Sequence, residues 1–272
     1  MTKKMGSAFR IYQRDGLLRL IVLIFRKLTG LKGEIAGAKE RVLDHVMSIH
    51  KGVVAYGPFT GMILSADVWW GKYDVTTKLL GVYERHILDL LVDIGTKVNG
   101  PFVDIGAADG YYAIGALKSK MFDQVFAFEI SEPARKCLAE NAALNNVSEM
   151  ITISGEANYE SLKDLISRYQ AGLILIDIEG SEYSLLDKKT LRLFENCHLI
   201  VELHPWLVED GDRKQDELLA SANEYFDVTL TRSASISPNA FPELLSFNDD
   251  ERLLAFSEGR GKSMEWMILS PN

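Results

Sequence analysis

The feature that most constrains the fold is a regular alternation of short apolar runs and amphipathic stretches, which begins after the break at Asn99-Gly100-Pro101. The runs are almost wholly apolar and too short to be helices, so each of them predicts a strand. The first five predicted strands cover residues 102–105, 125–129, 150–154, 173–177 and 198–203. Apolar strands separated by amphipathic helices are typical of a parallel sheet that is covered by helices on both faces.

Helices are predicted around these strands at residues 111–120, 132–145, 158–170, 182–194 and 213–225. Two further strands are predicted at residues 226–230 and 264–269, with no helix between them, as an antiparallel edge. The predicted fold is therefore α/β, with a doubly wound, mostly parallel, seven-stranded Rossmann-like sheet. Residues 233–262 lack clean periodicity, and an irregular segment of this length is often a lid or a substrate loop.

The first 98 residues follow another pattern and are predicted as a helical and hairpin extension to a domain at 99–272. Residues 1–50 have helical spacing, and residues 52–68 indicate a short β-hairpin. Residues 17–25, LLRLIVLIF, are too short for a membrane span, and the residues after them do not suit signal cleavage. An amphipathic helix is left, with three roles open: packing on the body, forming a homodimer, or peripheral contact with a membrane.

Composition narrows the class of protein without choosing a function. Of 272 residues, 47% are apolar and 25% are charged, which is ordinary for a globular chain. The 38 acidic residues outnumber the 30 Lys and Arg, and a net charge of -8 argues against a nucleic-acid partner. Cys137 and Cys197 have no zinc-site spacing, so both are predicted to be buried, reduced thiols of a cytoplasmic protein.

The ligand of an open parallel sheet lies beyond the carboxyl ends of its strands, so the residues after each strand carry the functional signal. The first strand is followed by Asp104-Ile-Gly-Ala-Ala-Asp-Gly, in which Gly106 and Gly110 allow a tight turn. The turn matches neither the dinucleotide pattern G-x-G-x-x-G nor a phosphate-binding P-loop. An acid at Asp104 favours a cationic or hydroxyl-rich ligand over a phosphate.

The next four strands also end in carboxylates. Glu129 ends the second strand, where an acid can accept hydrogen bonds from both hydroxyls of a ribose. The later strand ends carry Glu156, the segment Asp177-Ile-Glu-Gly-Ser-Glu, and Glu202-Leu-His. Any one of these acids is equally typical of a helix N-terminus. Five in series beside the glycine pair predict a nucleoside-binding site.

The segments VDIGAADGYYAIG, FAFEIS, ILIDIEGSEYSLL and LIVELHP resemble the FkbM family of S-adenosylmethionine-dependent methyltransferases. The resemblance covers residues 102–205, and its more specific signs are D-x-E-G-x-E at 177–182 and E-x-H at 202–204. Members of this family usually carry Asn where this chain has Ala108, and Pro where it has Ile130. The first hundred residues lie outside the resemblance.

The resemblance implies a binding site for S-adenosylmethionine whose parts can be assigned residue by residue. The glycine turn would hold the methionine and the ribose, Glu129 the ribose hydroxyls, and the next two turns the adenine. Asp177 would lie near the sulfonium and the reacting group. The implied cofactor residues are Asp104, Gly106, Ala107, Gly110, Tyr111, Glu129, Ile130, Glu156, Ala157 and Asp177.

A hydroxyl acceptor needs a base or a metal ion to activate it, and both routes are open. In the first, Asp177, Glu202 and His204 are catalytic, with the imidazole as the base. In the second, the carboxylates of Asp177, Glu179 and Glu202, with Glu182 nearby, hold Mg²⁺. Glu179 and Glu182 are equally typical of the first turn of a helix.

Aromatic residues give three further candidates. Trp69, Trp70 and Tyr73 form either a platform for a sugar acceptor or part of the core. Tyr83-Glu84 either closes over the methionine end of the cofactor or lies on a helix surface. Of the neighbours Tyr111 and Tyr112, one is predicted to face the site and the other the core.

The sequence thus predicts an enzyme that transfers a methyl group from S-adenosylmethionine to a hydroxyl of a sugar, glycan or small metabolite. Two alternatives remain open at this point. One is a non-catalytic partner or sensor protein that binds the same cofactor, and the other is an N-methyltransferase.

Overall fold

The computed structural model describes residues 33–65, 74–170, 172–232, 236–258, 260 and 262–272. Seven strands form one sheet: β1 (Phe102–Ile105), β2 (Val125–Phe128), β3 (Ile151–Ser154), β4 (Leu173–Ile176), β5 (His198–Leu203), β6 (Phe226–Arg232) and β7 (Glu265–Pro271). The helices that precede and surround it are α1 (Glu34–His50), α2 (Val75–Leu79), α3 (Arg85–Gly95), α4 (Tyr111–Lys118), α5 (Glu132–Leu144), α6 (Tyr159–Arg168), α7 (Glu182–Leu185), α8 (Lys188–Leu193), α9 (Gly211–Ala222) and α10 (Asp249–Ala255).

The strand order across the sheet is β3-β2-β1-β4-β5-β7-β6. Strands β1 to β5 are parallel, and β1 lies between β2 and β4, with Phe102 paired to Val125 on one side and to Leu173 on the other. The chain runs outward from β1 in one direction and from β4 in the other, so the switch point of the topology lies between them. The predicted α/β fold with a mostly parallel, seven-stranded Rossmann-like sheet is confirmed.

The last two strands form the predicted antiparallel end of the sheet, but α10 lies between them in the chain, where no helix was predicted. Strand β7 pairs antiparallel with both β5 and β6, so it lies inside the sheet, and β6 alone forms the edge. The burial follows this order, because Trp266, Met267 and Leu269 of β7 are fully buried while most of β6 is exposed or half-buried.

The predicted helix at 182–194 is wrong as a single element, because the chain breaks between α7 and α8. Leu186 has non-helical backbone angles, and the Asp187 side chain accepts a hydrogen bond from the Thr190 N–H at 2.8 Å. Asp187 therefore caps a new helix. The apolar spacing continued across the break and concealed it.

The predicted hairpin at 52–68 is present over the described residues 52–65 only as a short, irregular antiparallel pairing. One bridge joins Val53 to Ile63, and the N–H groups of Leu64 and Val54 donate across it to the carbonyls of Gly52 and Met62, both at 2.8 Å. The Ala55 N–H donates away from the pairing, to the Leu79 carbonyl of α2 at 2.7 Å. These residues therefore form an irregular support under α2.

The segment predicted as a lid or substrate loop is largely folded within its described residues, 236–258, 260 and 262. It contains short 3-10 turns at Pro238–Ala240 and Pro242–Leu244, followed by α10. Its apolar side chains pack on α1 and α2 in one cluster that includes Val42, Val46, Leu79, Leu244 and Ala255. Part of the N-terminal extension and this late segment thus form a common layer.

The extension also enters the main core. Phe59, Met62 and Ile87 are fully buried in the same apolar cluster as Tyr111 and Ile114 of α4. A Cβ added at Gly115 of α4 would overlap the Phe59 ring, so this helix and the extension meet at a glycine. The division into an extension and a domain at residue 98 stays a prediction. Side chains from both sides of this boundary pack in the same core.

The structure tests only in part the predictions about a membrane span and about the two cysteines. Among the described residues, none of the helices has the length and apolar character that a membrane crossing needs, and residues 17–25 lie outside this range. No disulfide joins the two cysteines; Cys197 is buried, but Cys137 is half-buried, which corrects its predicted burial. A cytoplasmic location stays a prediction.

Gly115→Ala tests the contact between α4 and the extension. Alanine favours a helix over glycine by about 1 kcal/mol, but here its methyl group meets the buried Phe59 ring, and such overpacking costs about 1–3 kcal/mol. We expect the free energy of unfolding, measured with urea, to fall. Gly155→Ala is the control, because nothing lies within 4 Å of a Cβ there. A gain in stability at Gly115 would contradict the described contact.

Candidate functional site

A cavity of about 630 Å³ lies at the carboxyl ends of β1 to β4, at the switch point of the sheet. Most predicted cofactor residues line it: Asp104, Gly106, Ala107, Tyr111, Glu129, Ile130, Glu156, Ala157 and Asp177. Glu179 lines it as well, whereas Gly110, Glu202 and His204 do not. Gly110 precedes α4 in a left-handed conformation. Trp69, Trp70 and Tyr73 lie outside the described residues.

Backbone geometry at Gly106 brings the turn after β1 against the end of β4. Gly106 has a φ of 92°, and a Cβ at this position would overlap the Asp177 carbonyl oxygen, so only glycine fits. Ala108 follows in a left-handed conformation, with a φ of 46°. Asn tolerates this conformation better than Ala, which gives a physical reason for the Asn that the FkbM resemblance would place here.

Glu129 joins the turn after β1 to the end of β2. Its carboxylate accepts hydrogen bonds from the Ala108 N–H at 3.0 Å and from the Ser131 N–H at 2.7 Å. Each carboxylate oxygen has more than one acceptor position, so both oxygens can still receive hydroxyl donors from the cavity. Ile130, beside it, is 73% exposed and lines the same wall.

Asp104 is the most deeply buried acid of the cavity wall, with 1% of its surface exposed. Neither of its carboxyl oxygens has a hydrogen-bond partner among the described residues. Burial, and then the charge of Asp177, raise the pKa of Asp104 to about 8. The Ala113 N–H approaches the carboxyl without hydrogen-bond geometry and offsets only part of this rise in pKa.

His204 connects the strand ends of β4 and β5 behind the cavity. Its Nε2 lies 3.7 Å from Asp177 Oδ1, 3.8 Å from Glu179 Oε2 and 3.6 Å from Glu202 Oε2. Its Nδ1 lies 3.4 Å from Glu182 Oε1. Burial opposes the charged imidazole, but the carboxylates around the ring prevail and raise the pKa of His204.

Glu182 is fully buried, so it is more than the first-turn acid of a helix. Its carboxylate accepts hydrogen bonds from the backbone N–H groups of Gly180 at 2.8 Å and His204 at 2.7 Å. These bonds fix the turn after β4 to the end of β5. Asp177 and Glu202 face each other in the same region. Burial, and then the charge of Glu179, raise the pKa of Asp177, whereas burial and the charge of Asp177 raise the pKa of Glu202.

Arg260 reaches this group from the late segment, and sequence reasoning missed it. Its guanidinium donates to Glu202 Oε1 at 2.6 Å, forms an ion pair with Glu258 Oε2 at 2.8 Å, and also contacts Glu84. Glu84 in turn accepts a hydrogen bond from the Tyr112 hydroxyl. Glu202 is therefore held by an arginine, and the three side chains whose ligand atoms lie within 4.8 Å of one another are Asp177, Glu179 and His204.

The aromatic predictions have mixed outcomes. Tyr111 and Tyr112 both belong to the main buried cluster and both line the cavity, so the predicted division, with one facing the site and the other the core, is wrong. Tyr83 lines the cavity, and its ring lies 5.6 Å from that of Tyr111. Glu84 is buried and bound to Arg260 rather than exposed on a helix.

Lys78 of α2 also lines the cavity, and no motif in the sequence pointed to it. Its ammonium lies 3.2 Å from Asp109 Oδ1, and 5.2 and 5.4 Å from the ring centres of Tyr83 and Tyr111. The N-terminal extension therefore supplies a charged group to a cavity formed mainly by strand ends.

No family model matches the chain, and no curated protein sequence matches it. Solved structures are similar in fold at low identity. Cofactor-bound Rv0187 from MTB is 11% identical with a TM-score of 0.47, over 98% of this chain and 97% of its own. TYW2 of M. jannaschii in complex with AdoMet is 15% identical with a TM-score of 0.45, over 76% and 80%. The B. subtilis tRNA methyltransferase TrmK is 15% identical with a TM-score of 0.44, over 67% and 65%.

Asp104→Asn tests the buried carboxyl through the pH dependence of stability. Because the folded state holds this proton up to about pH 8, its contribution is complete at pH 4 and is lost as the pH rises through 8. The slope is at most about 1.4 kcal/mol per pH unit. We expect wild type to lose stability relative to Asp104→Asn between pH 5 and 8, measured by urea unfolding. Parallel pH profiles of the two proteins would contradict the raised pKa.

Proposed function

We propose that the chain is an S-adenosylmethionine-dependent methyltransferase that methylates a hydroxyl group of a sugar, glycan or small metabolite. One observation carries the proposal: a cavity at the switch point of the sheet whose wall combines the close turn at Gly106 with carboxylates from four strand ends. Its volume of about 630 Å³ is within the usual range for small-molecule sites. The resemblance to the FkbM family supports the same class of enzyme, and membership of that family is part of the proposal.

The charge of the wall favours this cofactor over a dinucleotide. Seven carboxylates line the cavity, against one lysine: Asp104, Asp109, Glu129, Glu156, Asp177, Glu179 and Asp187, with Lys78. The two phosphates of a dinucleotide would meet a repulsive field there, whereas a sulfonium would be attracted. Glu129 is placed for ribose hydroxyls, and Glu156 and Ala157 lie on the adjoining wall, where the adenine would bind.

The residues of the cavity suit a displacement reaction in which the enzyme aligns the reactants and removes a proton. When bound, S-adenosylmethionine would supply an activated methyl group, whose transfer to the acceptor breaks its bond to sulfur and leaves the sulfur in a neutral thioether. Two acids that follow β4, Asp177 and Glu179, line the cavity, and the less exposed of them, Asp177, can accept the hydroxyl proton. His204 touches Asp177 from behind and does not line the cavity, so we assign it the role of a positioning residue.

The predicted metal route stays a proposal with a changed set of ligands. His204 occupies the place that the sequence gave to Glu202, because Arg260 binds Glu202. Two carboxylates and an imidazole suit Mn²⁺ or Zn²⁺ better than Mg²⁺, which prefers oxygen ligands. Those side chains would hold such an ion beside the acceptor and lower the pKa of its hydroxyl.

The acidic wall also favours a second acceptor class, a cationic amine, over any anionic acceptor. Glu179 is 52% exposed at the cavity mouth and has room to pair with such a group. An N-methyltransferase therefore remains the second candidate. A panel of amines and polyhydroxyl compounds, assayed with a labelled methyl group, separates the two classes.

Calorimetric titration with S-adenosylhomocysteine tests the cofactor class directly. We expect saturable binding at one site, and NADH under the same conditions should bind far more weakly because of its phosphates. Glu129→Gln should weaken binding by about tenfold, since a ribose hydroxyl loses a charged acceptor. Glu160→Gln, on α6, is the control. Absence of binding by the wild-type protein would overturn the proposed function.

Asp177→Asn tests the proposed base. Loss of a positioned base typically lowers the rate about 10²- to 10⁴-fold, while the neutral amide retains nearly the same shape. We expect the rate of labelled methyl transfer to fall by at least 10²-fold, and affinity for S-adenosylhomocysteine to change far less. Glu179→Gln separates the two routes: it should leave the rate nearly unchanged if Asp177 acts alone. A rate that falls in EDTA and in Glu179→Gln would support the metal route instead.

A further inference from the structure

Two tyrosines on the wall of the cavity are held by one ion pair that does not line it. Tyr83 and Tyr112 both line the cavity, whereas Arg260 and Glu84 do not. Arg260 donates to the Tyr83 hydroxyl oxygen at 3.3 Å, and the Tyr112 hydroxyl donates to Glu84 Oε2. Arg260 also contacts the other carboxylate oxygen of Glu84, so the two hydroxyls are bound to the two members of a single ion pair.

The ion pair gives the two hydroxyls opposite hydrogen-bonding roles. A guanidinium can only donate, so the Tyr83 oxygen accepts from Arg260 and its O–H remains available as a donor. A carboxylate can only accept, so Tyr112 uses its O–H on Glu84 and its oxygen remains available as an acceptor. Within the described residues, no group accepts from the Tyr83 hydroxyl, and none donates to that of Tyr112.

Burial keeps these roles fixed. The Glu84 side chain is 3% exposed and Tyr112 is 8% exposed. Burial raises the pKa of both tyrosine hydroxyls well above its usual value, although the charge of Arg260 opposes the rise at Tyr83. Both hydroxyls therefore keep their protons. Hydrogen bonds to charged groups are about twice as strong as neutral ones, which prevents either hydroxyl from reversing its role.

The two hydroxyls lie near the acid that we assign as the base. The charge of Asp177 contributes to the raised pKa of both tyrosines, after burial. Arg260, which binds the Tyr83 hydroxyl, also donates to Glu202 Oε1 at 2.6 Å, and Glu202 faces Asp177. The tyrosine rings are 6.4 Å apart. A group bound by both hydroxyls would thus lie beside the reacting centre.

Few chemical groups satisfy one donor and one acceptor at the same time. A hydroxyl does so, because it accepts from one partner and donates to another. An ammonium only donates, and a carboxylate or phosphate only accepts, so each would leave one tyrosine without a partner. We propose that Tyr83 and Tyr112 bind a hydroxyl of the acceptor next to the one that is methylated, with Arg260 and Glu84 as the positioning residues that fix their roles.

This inference rests on the proposed function and deepens it, because it favours a neutral acceptor with neighbouring hydroxyls, such as a sugar, over a cationic amine. It also gives the extension and the late segment a part in choosing the acceptor, since Glu84 and Arg260 come from these two regions. A site that hydrogen-bonds a substrate hydroxyl rejects analogues without it, because the polar groups of the site are then left unpaired.

Sugars that lack one hydroxyl at a time provide the first test. The probes are glucose, galactose and mannose, each with its full set of monodeoxy and monoamino derivatives, assayed by labelled methyl transfer. We expect at least one parent sugar to be methylated. Removal of one hydroxyl beside the methylated position should lower its kcat/KM at least about tenfold, and an ammonium at that position should lower it at least as much.

Tyrosine variants show whether the two hydroxyls cause this discrimination. Tyr83→Phe and Tyr112→Phe should each raise KM for the best sugar about 3- to 10-fold, with affinity for S-adenosylhomocysteine changed less than about twofold. In either variant the deoxy sugar should lose much less against its parent than in wild type, because the protein partner is already missing. Tyr169→Phe, on an exposed tyrosine that does not line the cavity, is the control.

Arg260 variants test the positioning role. Arg260→Lys keeps a charged donor for Tyr83 and should retain most of the discrimination between the sugar and its deoxy derivative. Arg260→Met removes the donor and should lose most of that discrimination. If Arg260 only supported the fold, Arg260→Met would lower stability and rate without changing the ratio of kcat/KM between the two sugars.

The outcomes separate this inference from the proposed function. If wild type does not bind S-adenosylhomocysteine, the proposed function fails. If wild type binds it but methylates none of the sugars, or methylates the amino derivatives as well as their parents, the inference is wrong and the cofactor class stands. If the tyrosine variants do not fold, wild type still decides: equal kcat/KM for a methylated sugar and all of its deoxy derivatives would overturn the assignment.

Discussion

Backbone hydrogen bonds among the ends of β1, β2 and β4 determine where the acids that follow these strands lie. The Asp177 N–H donates to the Ile105 carbonyl, and the N–H groups of Gly106 and Ala107 both donate to the Phe128 carbonyl. These bonds close only because the chain carries no Cβ at Gly106. Three strands consequently end at one point, and the acids that follow them are forced to face a common space.

Acids placed so close together would repel one another in the absence of partners, and the structure provides partners from distant parts of the chain. Arg260 from the late segment pairs with Glu202 and Glu258, and Lys78 from the extension pairs with Asp109. Glu182 is stabilised differently, by two backbone N–H groups. Among the described residues, both carboxyl oxygens of Asp104 and Oδ1 of Asp177 have no hydrogen-bond partner, and burial raises the pKa of both side chains. The acids of the site are thus only partly compensated by the described residues.

The sequence predicted the parts of the site that follow directly from local pattern. Strand positions follow from runs of apolar residues, and acids that follow parallel strands must lie at the same edge of the sheet. Asp104, Glu129 and Asp177 could therefore be predicted as site residues. Lys78 and Arg260 could not be predicted in this way. Arg260 lies in a segment without periodicity, and Lys78 lies in a short helix that carries no motif, so both reach the site only through tertiary packing. The break at Asp187 and the inward position of both Tyr111 and Tyr112 depend likewise on neighbours that the local pattern does not contain.

The meeting of Phe59 with Gly115 has a consequence for how the protein assembles. The extension is synthesised first, yet its aromatic ring has a partner only after α4 exists, so the earlier segment has to wait for the later one. Docking of the extension then completes a charged wall of the cavity as well as a core. A molecule bound against that wall would hold the two parts together, and by reciprocity their docking would strengthen its binding by the same factor. Binding of a ligand in the cavity and docking of the extension would then be thermodynamically coupled.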